Sequence, residues 1–247
     1  MGIKLIFQST ICILVSVFVI GCIVINGDGF VAEKVYGSGT VVSEEREVPF
    51  FNQIHLKGTG KVILTRSASQ SVRIKTDDNI MPHILTEVEN GKLVISSQEG
   101  KNLRPTVLTL YISATNLEGI SISGSGDIIG NEGFDSESFY ADIAGSGDIS
   151  VIVSANRLES NISGSGSIYL SGSANSYDAT ITGSGDVDAF ELQTRDSSVV
   201  ITGSGNCRVN VSDLLRAKIT GSGDVLYKGH PEMSKSITGS GKVKDRN

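Results

Sequence analysis

At 247 residues, with a formal net charge of −6 and a pI near 5.1, the chain has room for a sizeable core and no electrostatic reason to bind nucleic acid. Its 29 Gly against only 4 Pro exclude collagen and argue against a Pro/Gly-rich linker. Many Gly at regular places point instead to many tight turns.

The first element is a targeting segment. Lys4 is the only charge before Cys22, residues 5–20 are almost wholly apolar, and the run closes on Val19-Ile20-Gly21-Cys22. A positive start, an apolar stretch and a small residue before the cut are the parts of a secretory signal. Val-Ile-Gly-Cys resembles the bacterial lipobox, which implies cleavage after residue 21 and a lipid on Cys22. Residues 1–21 are then a lipoprotein signal peptide and 22–34 a short tether. The competing reading is an uncleaved anchor, since residues 5–25 are nearly long enough to span a bilayer. On the lipoprotein reading Cys12 leaves with the signal, Cys22 is acylated and Cys207 stands alone, so no internal disulfide is expected.

Next comes a domain expected over residues 35–247. Val35-Tyr36-Gly37-Ser38-Gly39-Thr40-Val41 and Leu56-Lys57-Gly58-Thr59-Gly60-Lys61-Val62 share one pattern and predict two first coils of a repeat. Between residues 63 and 116 the pattern lapses into strand-like runs at 71–76, 92–96 and 106–112. Glu89-Asn90-Gly91-Lys92 reads as a hairpin turn between 85–88 and 93–95. This stretch predicts an antiparallel insertion that covers the open first coil, because a bare solenoid end is an aggregation-prone edge.

Residues 117–247 carry the regular repeat. Gly-Ser-Gly begins at Gly124, Gly145, Gly164, Gly183, Gly203, Gly221 and Gly239, in steps of 21, 19, 19, 20, 18 and 18 residues. Ile stands two residues before each first Gly, from Ile122 to Ile237. Ile or Val stands four residues after it, except at Cys207. Upstream, alternate residues again suit a buried face, as in Phe139/Ala141 and Leu158/Ser160. Period two means strands with one face inward. No two-residue hairpin loop joins the pieces, and no intervening stretch has a helical apolar stripe.

The fold that remains is an all-β, single-stranded parallel β-helix of about 18–21 residues per coil. Stacked at ~4.8 Å, the six steps would rise roughly 29 Å. Gly124, Gly126, Gly145, Gly147, Gly164, Gly166, Gly183, Gly185, Gly203, Gly205, Gly221, Gly223, Gly239 and Gly241 are its structural turn residues. A phosphate-cradling role for them would need a following helix, and strands follow instead. Cys207 is predicted to point inward between Val187 and Val225. Lys235 interrupts the inner row where the core ends, and Lys242, Lys244, Asp245 and Arg246 form a charged stop.

Arg46-Glu47-Val48-Pro49-Phe50, residues 54–62, Glu89-Asn90-Gly91-Lys92-Leu93 and the Ile-(Ser/Thr)-Gly-Ser-Gly-Asp repeats together resemble the bacterial putative auto-transporter adhesin, head GIN domain family. The likeness runs from about Glu44 to the C-terminus. It implies a pectin-lyase-like β-helix without known catalytic residues.

Little in the residues points to chemistry. His55, His83 and His230 share no metal-ligand spacing, and no Ser sits in a nucleophile elbow. The residue after each Gly-Ser-Gly is Asp127, Asp148, Ser167, Asp186, Asn206, Asp224 and Lys242. Asp127 and Asp148, the only adjacent acidic pair in that row, are the two calcium candidates. The row is interrupted by Ser, Asn and Lys, so the reading preferred is turn chemistry without a metal, in which Asp and Asn accept bonds from nearby amides.

Two functions stay open. The first is a non-catalytic lipoprotein of the bacterial cell envelope, in the outer membrane if the cell is Gram-negative. It would act as a surface interaction or adhesion-like module, without cofactor. Its partners would be the membrane through the lipid on Cys22, an envelope protein or polymer, and further copies of itself. The second is a glycan-binding or glycan-acting β-helix. Small outward residues such as Ser121, Ser123, Ser163, Thr180, Thr182 and Thr202 favour the first, and a clustered Tyr/Arg/Asp patch would favour the second.

Overall fold

The computed structural model describes residues 32–247, and in it the repeat stacks in register from coil to coil. The strands, in chain order, are β1 (Glu33–Tyr36), β2 (Val41–Arg46), β3 (Gln53–Gly58), β4 (Lys61–Arg66), β5 (Ser71–Asp77), β6 (Ile84–Glu89), β7 (Lys92–Ser97), β8 (Lys101–Arg104) and β9 (Leu108–Ala114). The regular coils follow as β10 (Gly119–Gly124), β11 (Asp127–Gly145), β12 (Asp148–Gly164), β13 (Ser167–Gly183), β14 (Asp186–Gly203), β15 (Cys207–Gly221), β16 (Val225–Lys228), β17 (Glu232–Gly239) and β18 (Val243–Asp245). The fold is the all-β parallel solenoid that the repeat predicts.

Two aliphatic columns form its core. Leu56, Ile122, Ile143, Ile162, Ile181, Ile201 and Ile219 pair in succession ahead of the corner. Val62, Ile128, Ile149, Ile168, Val187, Cys207 and Val225 pair in succession after it. All of these are buried. Burying such a side chain contributes roughly 1.5–3 kcal/mol, so the two columns carry much of the fold's hydrophobic stabilisation. The first column runs on to Ile237, 37% exposed in the open last coil, where Met233 and Lys235 are exposed as well.

At each corner the two glycines answer different needs. Gly164 has φ +134, and a Cβ there would lie 2.2 Å from the carbonyl oxygen of Gly145 in the coil below. Gly166 needs no positive φ, but its Cβ would lie 2.2 Å from the Gly147 oxygen. The first glycine supplies the bend and the close approach, the second only the close approach. The corner is held by backbone bonds, Ser165 N–H to Gly145 O at 2.9 Å and Gly166 N–H to the same oxygen at 3.2 Å.

Buried polar groups within the regular coils satisfy one another. Tyr177 and Ser160, on neighbouring coils, share an O–H···O bond of 2.7 Å. Thr194 and Ser197 share one of 2.8 Å, and the Thr194 hydroxyl also bonds to the Asn210 carbonyl at 2.8 Å. Ser160 and Ser197 are thereby tolerated in rows that are otherwise apolar.

The N-terminal end departs from the expected order in two ways. Gly58-Thr59-Gly60 is a true corner, with β3 under β10 and β4 under the start of β11. Gly37-Ser38-Gly39 is not: β1 pairs with β8 in a separate two-stranded sheet and β2 runs antiparallel to β5. The look-alike turn closes instead around Asp77, whose carboxylate sits where a Gly37 side chain would be.

The irregular stretch is also not wholly an antiparallel cap. β7 pairs in parallel with β3, and β9 in parallel with β4. Residues 92–114 thus supply a further pair of solenoid strands beneath the first corner. Only β6, β5 and β2 add antiparallel cover beyond them. The hairpin at Asn90-Gly91 forms as expected, with φ of 52° and 77°, the double positive φ of a type I′ turn.

Asp77 ties this end together. It is fully buried and accepts bonds from Gly39 N–H (2.8 Å), Thr106 N–H (2.7 Å) and the Thr106 hydroxyl (2.6 Å). The Thr106 hydroxyl, joined by the two amides, holds the carboxyl below its ordinary value despite burial. A depressed carboxylate contributes stability that is complete above its unfolded pKa and is lost as pH falls through the folded one. The melting temperature should therefore drop below about pH 4, and Asp77→Asn should make that acid limb shallower. An identical acid limb in the variant would remove Asp77 from the account.

Candidate functional site

The outward surface divides into three regions, each fixed by its place on the coil. Ahead of the corner, Ala144, Ser163, Thr182, Thr202 and Thr220 continue the row begun by Ser123. Inward Ile alternates with these small residues, so the row beside the corner is small and mostly hydroxyl-bearing.

At the N-terminal half of that face the residues are larger. The Tyr140 ring lies across Gly119, where a Cβ would come within 2.0 Å of it. Its hydroxyl donates to Gln53 Oε1 at 2.8 Å. Asn161 Nδ2 donates to Asp142 at 2.8 Å, and His55 Nε2 and Ser123 Oγ are 2.9 Å apart. These groups border a depression of about 650 Å³. Burial, with Lys57 and Lys92 nearby, lowers the His55 pKa, so the imidazole is neutral near pH 7. Burial raises the Asp142 carboxyl and the Tyr140 phenol.

His55 and Ser123 are 68 residues apart, which is why no local motif announces the pair. It sits on a flat strand face rather than an elbow. Among the described residues no carboxylate is hydrogen-bonded to the imidazole, the third partner a nucleophilic triad requires.

On the side of the coil opposite the corner, a groove of about 1140 Å³ crosses several coils. Its wall is polar. Asn156 Nδ2 donates to Glu137 Oε1 at 2.8 Å, and Asn175 Nδ2 donates to Asn156 Oδ1 at 2.7 Å, a short amide ladder. Arg195 meets Asp213 at 3.1 Å. His230 lies at the far end of this groove, while His83 bonds Gln98 at 2.7 Å elsewhere, so the three His are not brought together.

The row after the corner stacks, with Asp127 opposite Asp148. Its carboxylates largely serve the backbone. Asp148 Oδ1 accepts from Ser167 N–H at 3.0 Å, Asp186 Oδ1 from Asn206 N–H at 2.8 Å and Asp224 Oδ1 from Lys242 N–H at 2.8 Å. Each ties down the corner of the next coil. Among the described residues no group of three or more His, Cys, Asp or Glu converges to hold a metal. Cys22 lies outside the described residues.

The third region, the sheet after the corner, is not small and flat. It exposes Ile152 and Tyr169, at 37% and 49%. Inward alternation was legible there, but the identity of the outward residues carries no repeat that would single them out.

Comparison with known proteins agrees with this geometry. Residues 50–231 match the family model described as putative auto-transporter adhesin, head GIN domain. The chain is similar to the crystal structure of a putative adhesin from Bacteroides fragilis, with TM-score 0.82 and 25% identity over 86% of this chain and 100% of the other. It is also similar to a putative lipid binding protein from Parabacteroides distasonis, with TM-score 0.72 and 26% identity over 87% and 100%. A putative adhesin from the same organism gives the same figures. No curated protein matches the chain.

Proposed function

This chain belongs to the putative auto-transporter adhesin, head GIN domain family, and on that premise we propose that it is a lipid-anchored envelope module whose β faces contact an envelope protein or polymer. The observation that carries the reading is the row of small, mostly hydroxyl-bearing residues ahead of the corner. It offers repeated polar groups at the strand spacing of ~4.8 Å and no deep cleft around a nucleophile. Such a surface suits contact with an extended partner. The adhesin descriptions of its relatives support a place on the surface or in the envelope. The lipid-binding description of another relative is not carried over to the interior of this chain, which is filled by the aliphatic columns.

The lipid on Cys22 would hold the module at the membrane, and the residues between it and β1, which begins at Glu33, would space it from the bilayer. Replacement Cys22→Ser should abolish labelling by a radioactive fatty acid and release the protein from the membrane fraction. Labelling that persists in the variant would overturn the anchor. Crosslinking of the acylated protein in its native envelope should capture an envelope protein or polymer. A module that crosslinks only to lipid would overturn the contact role.

A further inference from the structure

Register shifts interrupt the ladders at several coils, and one falls in the sheet after the corner between β13 and β14. In β14, Asp188 faces Tyr169 of β13, yet the next pair is Glu191 with Ser171. Ala189 and Phe190 together oppose the single Leu170, which is a β-bulge. Ala189 and Leu192 stay buried, so Phe190 and Glu191 both turn outward. The Asp188 carboxylate accepts from Phe190 N–H at 3.2 Å and fixes the bulge. An extra residue in this coil thus places an aromatic ring on the surface, at the edge of the same cleft as Tyr169. Bulges that re-aim a side chain are over-represented beside functional sites.

The cleft measures about 340 Å³. Ile152 and Tyr169 stand exposed beside it, and Lys228 Nζ lies 4.6 Å from the centre of the Phe190 ring. Asp188 pairs with Arg208 at 3.3 Å. By contrast the Tyr169 hydroxyl, the Glu191 carboxylate and the hydroxyls of Ser150 and Ser171 have no hydrogen-bond partner among the described residues. Two aromatic surfaces are therefore ringed by free donors and acceptors.

We propose that this cleft is a subsite for a single pyranose ring. Such a ring has an apolar C–H face that can lie on Tyr169 against Phe190. Its equatorial hydroxyls can reach Glu191, Ser150 and Ser171. The size decides against a protein partner. The volume is at the lower end of small-ligand sites, roughly 300–1,000 Å³. Two exposed apolar side chains and a half-buried Phe190 fall far short of the ~800 Å² per partner of a stable protein interface. The proposal deepens the envelope-contact reading by giving its partner a chemistry, and rests on it only for the source of the sugar.

The test uses the full acylated chain in mild detergent. Methyl pyranosides of glucose, galactose, mannose and N-acetylglucosamine are titrated, and then their oligosaccharides, by calorimetry and saturation-transfer NMR. At least one sugar should bind. Tyr169→Ala and Phe190→Ala should each weaken it about tenfold, and Glu191→Gln severalfold, with the Tyr169→Ala melting temperature unchanged. Tighter binding of oligosaccharides than of single rings would mark a glycan chain as the source, and equal binding a free sugar. Failure of every sugar to bind, or binding unmoved by both aromatic substitutions, would overturn the subsite. Membrane release of Cys22→Ser is read separately, so loss of the sugar site and loss of the envelope reading are distinguishable.

Discussion

Gly164→Ala is expected to destabilise the solenoid by about 3 kcal/mol or more, through two costs that act together. At φ +134 the residue occupies a region that is essentially glycine-only, which costs an L side chain about 1–3 kcal/mol. The added methyl would also lie 2.2 Å from Gly145 O and 3.0 Å from its carbonyl carbon. Those atoms belong to the ladder below and cannot rotate away as a side chain could. To relieve the contact the corner must open, and the Ser165 and Gly166 bonds to Gly145 open with it. Exposed Ser165 in the same corner provides the control, since Ser165→Ala should stay within about 0.5 kcal/mol. Urea unfolding checks both. A Gly164→Ala midpoint equal to the wild type would show that the corners yield more easily than their geometry allows.

Cys207→Asp should cost about 3–5 kcal/mol, as an unpaired charge does when buried. Cys207 is fully buried and lies in register between Val187 and Val225. Burial is the main reason its thiol pKa is pushed well up, with Asp188 adding and Arg208 opposing. The neutral thiol is a small hydrophobe there and a poor nucleophile. Cys207→Val should be tolerated or mildly stabilising, because it completes the aliphatic column. Thiol reagents should label the wild type only after denaturation. Rapid labelling of the folded chain would break the register that places Cys207 inward.

How much of this could be read from the residues depends on how local each feature is. The Ile columns and the corners were legible because alternation and glycine spacing are written within one coil. Cys207 could be placed for the same reason. Gly37-Ser38-Gly39 misled because three residues do not specify what they pack against, and here it is Asp77, about 40 residues away. The parallel pairing of β7 with β3 and of β9 with β4 was hidden too. A strand run shows its inward face but not which neighbour lies beside it. At Phe190 a step of 20 residues reveals an extra position in the coil, yet only the ladder shows which residue is turned out. The His55–Ser123 contact is of the same kind.

The displaced order of the first coil bears on how the chain is made. In a chain that emerges N-terminus first, most coils meet their lower neighbour as soon as they appear, so coils from β12 onward can dock one at a time on a finished surface. β3 and β4 cannot. Each lies between strands that follow it in sequence, β7 and β9 on one side and β10 and β11 on the other. Residues 53–66 therefore wait, with Ile54, Leu56, Val62 and Leu64 not fully covered, until about residue 130 has emerged. Vectorial growth has one slow, exposed beginning and then a run of short local additions. The step most open to misassembly comes first, before any regular coil can serve as a template.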